Sequence, residues 1–313
     1  MSRETDPAPS AADAAAEPGG ATFSHWLEGA RPRTWPNAFA PVLVGSAAAA
    51  LAGGFVWWQA LLALVVAWSF IIGVNYANDY SDGIRGTDED RVGPVRLVGQ
   101  GLANPGNVKL AAFGCFFVAA FVGLALVTLS NTPWLLLVGA AAILAAWFYT
   151  GGKRPYGYMG LGEVFVFVFF GLVAVLGTTY TQAHTLSPSA WAGSIGVGAI
   201  ACAILVTNNL RDIPTDVEAG KHTLAVRLGD KATRTFYVLL IAVSVAAVAA
   251  CTLFHVAAAA GFVALIAAIP PVLRVMRGAT GRDLVPALAG TGRYQLLYGL
   301  LLGGGLYAAH LMH

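Results

Sequence analysis

The sequence predicts an all-α protein, a polytopic membrane bundle of nine transmembrane helices. Three observations carry this reading: a composition too apolar for a soluble domain, apolar stretches long enough to cross a bilayer, and charges that alternate with those stretches. Hydrophobic residues make up 57% of the 313 positions and charged residues 11%, against roughly 25% charged in soluble domains. The mean hydropathy is +0.68. A helix needs about 20 residues to cross the hydrocarbon. Stretches near that length fall at 36–53, 57–78, 106–129, 133–150, 161–182, 189–209, 234–254, 257–273 and 293–312.

Charge placement tests the nine-helix count. All 18 Lys and Arg fall in the N-terminal segment (Arg3, Arg31, Arg33) or in and beside the connections after the even-numbered stretches. After the second come Arg85, Arg91, Arg96 and Lys109; after the fourth, Lys153 and Arg154. After the sixth come Arg211, Lys221, Arg227, Lys231 and Arg234; after the eighth, Arg274, Arg277, Arg282 and Arg293. Basic residues mark the cytoplasmic side, so the N-terminus is expected inside and the C-terminus outside. All 16 Asp and Glu share that side, which confines the expected chemistry to the cytoplasmic face.

Residues 1–22, rich in Ala, Pro, Gly and acids, have neither the basic start nor the apolar core of a signal peptide, and read as a disordered cytoplasmic tail. Residues 23–313 form the expected transmembrane domain. Cys115, Cys202 and Cys251 lie within apolar stretches without metal-ligand spacing, as small apolar filler.

Two polar runs stand out because acids on membrane helices are costly and mark function. Asn78-Asp79-Tyr80-Ser81-Asp82 closes the second stretch, and Asn208-Asn209-Leu210-Arg211-Asp212-Ile213-Pro214-Thr215-Asp216 follows the sixth. If the helices continue through them, Asp79 with Asp82 and Asp212 with Asp216 each share one helical face. Like charges so placed repel unless a cation lies between them. Mg2+ suits this: it takes a few carboxylates and completes its shell with water and phosphate oxygens. Asn78, Asn208 and Asn209 add neutral oxygens or donors that orient the carboxylates. Arg85, Arg91, Arg96, Arg211, Lys221 and Arg227 suit a polyanionic ligand. The plainer alternative for any one Asp is a hydrated acid paired with a nearby arginine; two matching clusters on one side favour the metal.

A third segment, Tyr149-Thr150-Gly151-Gly152-Lys153-Arg154-Pro155-Tyr156-Gly157-Tyr158, continues to Glu163 on the same face. Its tyrosines are suited to stacking on an aromatic substrate, and an interfacial aromatic belt accounts for them equally. Arg31-Pro32-Arg33-Thr34-Trp35-Pro36 reads more simply as a basic, Pro-marked helix start.

On these residues the chain resembles the UbiA superfamily of intramembrane prenyltransferases from residue 23 onward. The carriers are Asn78-Asp79-x-x-Asp82, Asp212-x-x-x-Asp216 and Tyr149-x-x-x-Lys153. Where many members carry a further acid in the first motif this chain has Gly86, with Asp88 two residues on. The run from Arg91 to Val98, with Arg211-Asp212-x-x-x-Asp216-x-x-x-Gly220-Lys221-x-Thr223, looks like the 1,4-dihydroxy-2-naphthoate polyprenyltransferases of menaquinone synthesis.

The resemblance implies a UbiA-type helical fold in a bacterial plasma membrane. It implies Mg2+ held by Asp79, Asp82, Asp212 and Asp216 with Asn78, and a diphosphate leaving group assisted by Lys153, Arg154, Lys221 and the arginines. Tyr149 or Glu163 would be candidates to take the ring proton. Expected partners are a polyprenyl diphosphate, an aromatic acceptor and the lipid bilayer, with no nucleic acid. The expected reaction joins the polyprenyl group to 1,4-dihydroxy-2-naphthoate with loss of CO2 and diphosphate. The alternatives are another acceptor, such as 4-hydroxybenzoate or homogentisate, or a secondary transporter, which needs acids at mid-membrane.

Overall fold

The computed structural model describes residues 20–86 and 95–312, and among these residues every regular element is helical. A short helix, Phe23–Gly29, lies ahead of the first long one; its Thr22 cap accepts the His25 backbone N–H. The main elements are α1 (Pro36–Leu51), α2 (Trp57–Gly83), α3 (Pro105–Leu129), α4 (Leu135–Phe148) and α5 (Gly162–Ala183). They continue with α6 (Pro188–Glu218), α7 (Leu224–Phe254), α8 (Val256–Met276, opening as a 3-10 helix) and α9 (Val285–Leu311).

Six of these, α2, α3 and α5 to α8, are long and apolar enough to cross a membrane; α1 and α4 are shorter apolar helices. Large apolar side chains point outward, with Leu253 86%, Leu137 77% and Phe117 70% exposed. Helices apolar on all sides, with backbone bonds satisfied internally, are what a bilayer admits. The protein is an integral membrane protein.

Most helix ends outrun the apolar stretches. α2 continues past 78 to Gly83, α6 past 209 to Glu218, α7 starts at Leu224 rather than 234, and α9 at Val285 rather than 293. Apolar content ends at the membrane edge, whereas backbone hydrogen bonding does not. Within α7 the chain kinks at Gly229, whose φ of 75° lies in the left-handed region that glycine tolerates.

α6 is the axis, with 78% of its most apolar window buried. It packs against α1, α5, α7 and α9 around Val197, Ile200, Tyr294 and Tyr298. Small residues permit close contact, as in membrane helix pairs generally. A Cβ on Gly171 of α5 would lie 2.5 Å from Gly198 Cα of α6, and one on Gly299 of α9 would lie 2.7 Å from Ala40 Cα of α1. A second core joins α2 and α3 through Tyr76, Ala112 and Phe116. α4 packs mainly on that pair, which leaves its inner face and that of α5 on opposite sides of one large cavity.

Candidate active site

The last turns of α2 and α6 end at the same level of the bundle. Lys221 Nζ reaches Asp82 Oδ1 at 3.3 Å across 139 positions of sequence, joining the two acid motifs directly. Both helices continue through their motifs, as the shared-face expectation requires, yet the two acids of each pair have different surroundings.

Asp82 and Asp216, both buried, line the cavity. Asp82 accepts hydrogen bonds from Lys221 and from the Tyr158 hydroxyl. Asp79 is turned toward the connection after α2, where its two oxygens accept the backbone N–H groups of Leu97 at 2.8 Å and Val98 at 3.1 Å. A buried N–H without a partner is costly, so Asp79 anchors this loop. Asp212 takes a bidentate pair from Arg211, both N···O distances 2.7 Å, and Arg211 also donates to Asn208 Oδ1 at 2.9 Å. Neither Asp79 nor Asp212 lines the cavity, whereas Asn78, Asn208, Asn209, Arg211 and Lys221 do.

The α4–α5 connection covers this end. Arg85 donates to the carbonyls of Thr150 and Gly152 and lies 5.6 Å from the centre of the Tyr158 ring. Thr150 donates to Asn78 Oδ1 at 2.9 Å. Lys221 Nζ sits 4.6 Å from the centre of the same ring. Burial and the adjacent Asp82 carboxylate hold the Tyr158 phenol above its usual pKa, so it remains a proton donor to Asp82.

Lys153 and Arg154, expected to act on the diphosphate, are exposed and lie outside the cavity lining. With Arg85 clamping the carbonyls on either side of Gly151, the next residues turn away from the site. Tyr149 does line the cavity. Glu163 lies behind the wall, accepting the Asn209 amide N–H at 3.0 Å. Arg227, in the first turn of α7, donates to the His222 carbonyl at 3.1 Å and lies outside the cavity lining. Arg91 and Asp88 lie outside the described residues.

The cavity has a volume of about 1490 Å³. From its polar end it extends between α2, α3, α4 and α5 along apolar walls that include Phe70, Leu124, Ile143 and Phe169. Sequence reasoning expected Arg96 at the cavity but missed the rest of its basic side. Arg31, Arg33 and Thr34, assigned to a plain helix start, line it together with Arg96 and Arg282. Asn75 holds this segment in place, donating to Ala30 O and Thr34 Oγ1, both at 3.0 Å. The i, i+3, i+7 spacing of Asn75, Asn78 and Asp82 on one helical face was a signal available for Asn75. The role of Tyr158 depends on loops distant in sequence.

The residues fit a hard divalent cation. Two carboxylates and several amide oxygens face one pole; among the described residues no three His, Cys, Asp or Glu converge. Mg2+ needs few protein ligands because water and phosphate oxygens complete its octahedron.

An α-helical membrane bundle with an acid-lined pole opening into a long apolar cavity defines a class of intramembrane protein built for amphiphilic, anionic substrates. The chain belongs to the UbiA prenyltransferase family, whose model matches residues 38–309. It is 54% identical over 286 residues to 1,4-dihydroxy-2-naphthoate octaprenyltransferase of Mycobacterium tuberculosis, covering 91% of this chain and 98% of that protein. The Escherichia coli protein of the same name is 40% identical, covering 90% and 94%. A solved UbiA homolog from Archaeoglobus fulgidus bound to GPP and Mg2+ superposes with a TM-score of 0.67 at 15% identity, covering 91% of this chain and 99% of that one. At that identity the likeness establishes the fold.

Proposed function

We propose that this protein transfers a polyprenyl group from a polyprenyl diphosphate to 1,4-dihydroxy-2-naphthoate, with loss of CO2 and diphosphate, in menaquinone synthesis. The observation that carries the reading is the single cavity. Acids, lysine and arginines line one end of it, and apolar side chains line the rest, matching a molecule with a diphosphate head and a hydrocarbon tail. The names of the Mycobacterium tuberculosis and Escherichia coli relatives support the acceptor. The Mg2+ and GPP of the Archaeoglobus fulgidus structure support the metal and the donor.

Asp82 and Asp216, assisted by the oxygens of Asn78 and Asn208, would hold Mg2+, which when bound supplies positive charge against the departing diphosphate. Asp79 and Asp212 stand one turn from these acids and hold the loop and Arg211 that frame the pole. Lys221 and Arg211 place fixed positive charge at the same end, where the leaving group's charge develops. Tyr158 and Lys221 orient Asp82 by hydrogen bonding. Arg31, Arg33 and Arg96 provide a basic wall for the acceptor's carboxylate, bringing its electron-rich ring beside the allylic carbon. The apolar walls keep water from the allylic cation.

The same reading extends to placement. We propose nine membrane crossings, with α1, α4 and α9 spanning alongside the six longer apolar helices, in a bacterial plasma membrane. The N-terminus and active site would be cytoplasmic and the C-terminus external. Residues 23–313 would form the catalytic domain behind a 1–22 tail.

The test supplies the purified protein with Mg2+, a polyprenyl diphosphate and either 1,4-dihydroxy-2-naphthoate or 4-hydroxybenzoate. Release of diphosphate and CO2 with the naphthoate alone is the expected outcome. Turnover of 4-hydroxybenzoate without naphthoate turnover would remove the acceptor assignment, and no diphosphate release with any acceptor would remove the transferase reading.

A further inference from the structure

α5 carries a seven-residue π-helical segment, Phe167–Val173, within an otherwise α-helical span. The cavity-facing residues of this helix recur every four positions, mostly as adjacent pairs, from Phe165 and Val166 at the polar end to Gly177 and Thr178, with Thr181 beyond. A regular α-helix cannot sustain that repeat. At 3.6 residues per turn, a step of four overshoots by about 40°, and four such steps carry the last residue about 160° around the axis. One extra residue in a π turn takes back about 100° of that drift. A stripe about 100° wide absorbs the remainder. The π segment therefore keeps one face of α5 toward the cavity from its polar end to its far end.

That face changes character along its length. Near the polar end it is aromatic: the Phe165 ring stacks on Tyr156 with centroids 4.0 Å apart and lies 6.2 Å from Phe169. Beyond the π segment it becomes smooth and small. Thr178 and Thr181 donate their hydroxyls back to Ala174 O at 2.7 Å and Gly177 O at 3.0 Å, so neither hydroxyl is left for the cavity to satisfy. A Cβ on Gly177 would meet no atom within 4 Å, and neither would one on Gly139, which lines the cavity from α4. Two helices thus leave open space at these positions along the cavity.

We propose that the α5 face beyond the π segment, with Gly177 at its centre and Gly139 on α4, is the bed for the distal isoprene units of the prenyl donor and sets preference for long tails. This rests on the prenyltransferase reading above. Burial of each further isoprene unit along this bed contributes affinity through apolar contact, and a large side chain at either glycine occupies the same space.

The experiment compares octaprenyl diphosphate with geranyl diphosphate as donors to 1,4-dihydroxy-2-naphthoate in the presence of Mg2+. The variants are Gly177→Phe and Gly139→Leu, with Gly304→Phe as control. Gly304 also has open space at its Cβ but is exposed and lines no cavity. The ratio of kcat/KM for the long donor to that for the short one should fall at least tenfold in Gly177→Phe, and less steeply in Gly139→Leu. The control should keep the wild-type ratio. If Gly177→Phe does not fold, as judged by size exclusion and thermal unfolding in detergent, Gly139→Leu decides alone. Folded variants with an unchanged ratio overturn the tail-bed assignment while the transferase reading stands. Wild-type protein that uses neither donor overturns both.

Discussion

Asp82 is the residue on which most of the site converges. It is buried, it lines the cavity, and it is held by groups from two other parts of the chain, Tyr158 and Lys221. Asp82→Asn keeps the volume and removes the charge. We expect it, like Asp216→Asn, to lower turnover at least a hundredfold while the protein stays folded. Prenylation rates and thermal unfolding measured on the same preparations check this, and retained Mg2+-dependent turnover in both variants would dismiss the metal assignment. The two lysines form a sharper contrast. Lys221→Ala should raise KM for the diphosphate donor at least tenfold because it removes a buried charge facing the cavity. Lys153→Ala should change it no more than about threefold, since this side chain is exposed outside the cavity; steady-state kinetics with varied donor separate the two. Asn78, Asp82, Asp216 and Lys221 were legible in sequence because a polar residue beside an apolar helix is costly unless a ligand or partner compensates it. The cavity contact of Arg31 and Arg33 was not, because a basic, Pro-marked helix start looks the same whether or not its arginines face a cavity.

At the scale of elements, close helix contacts hold the cavity walls in place. α1 and α9 approach so nearly that a Cβ on Gly299 would lie 2.7 Å from Ala40 Cα, and one on Gly303 would lie 3.1 Å from Leu43 O. Backbone cannot yield as a flexible side chain can, so Gly299→Leu must separate the helices. Overpacking of this kind costs about 1–3 kcal/mol. The thermal unfolding midpoint in detergent should drop for Gly299→Leu and stay unchanged for Gly304→Leu, where no atom lies within 4 Å of the new Cβ. The helices themselves were legible as apolar stretches, but their ends were not. α2 and α6 continue through their acid motifs with the polar residues facing a cavity or bonded to a loop and to Arg211 rather than facing lipid, a condition that apolar content along the chain does not reveal.

For the whole molecule, topology is the decisive prediction. With basic residues expected on one side only, cysteine labelling should find positions 87 and 218 accessible from the cytoplasm and position 313 from outside. Positions 87 and 218 on opposite faces would be incompatible with a shared active site, whatever the helix count. Composition and the spacing of apolar stretches were enough to establish a helical membrane protein, and the motifs, through their resemblance to a known family, were enough to indicate a prenyltransferase. Those properties are local: a helix crosses a bilayer by virtue of its own twenty or so residues, and an Asp on such a helix announces itself without reference to its neighbours. The different partners of the two acids in each pair, the exposure of Lys153, the arginines that line the cavity and the phase of α5 were decided by the packed fold. Each depends on which distant backbone N–H, carbonyl or side chain arrives beside the residue, and on one-residue changes in helical phase, and neither can be read from spacing along the chain.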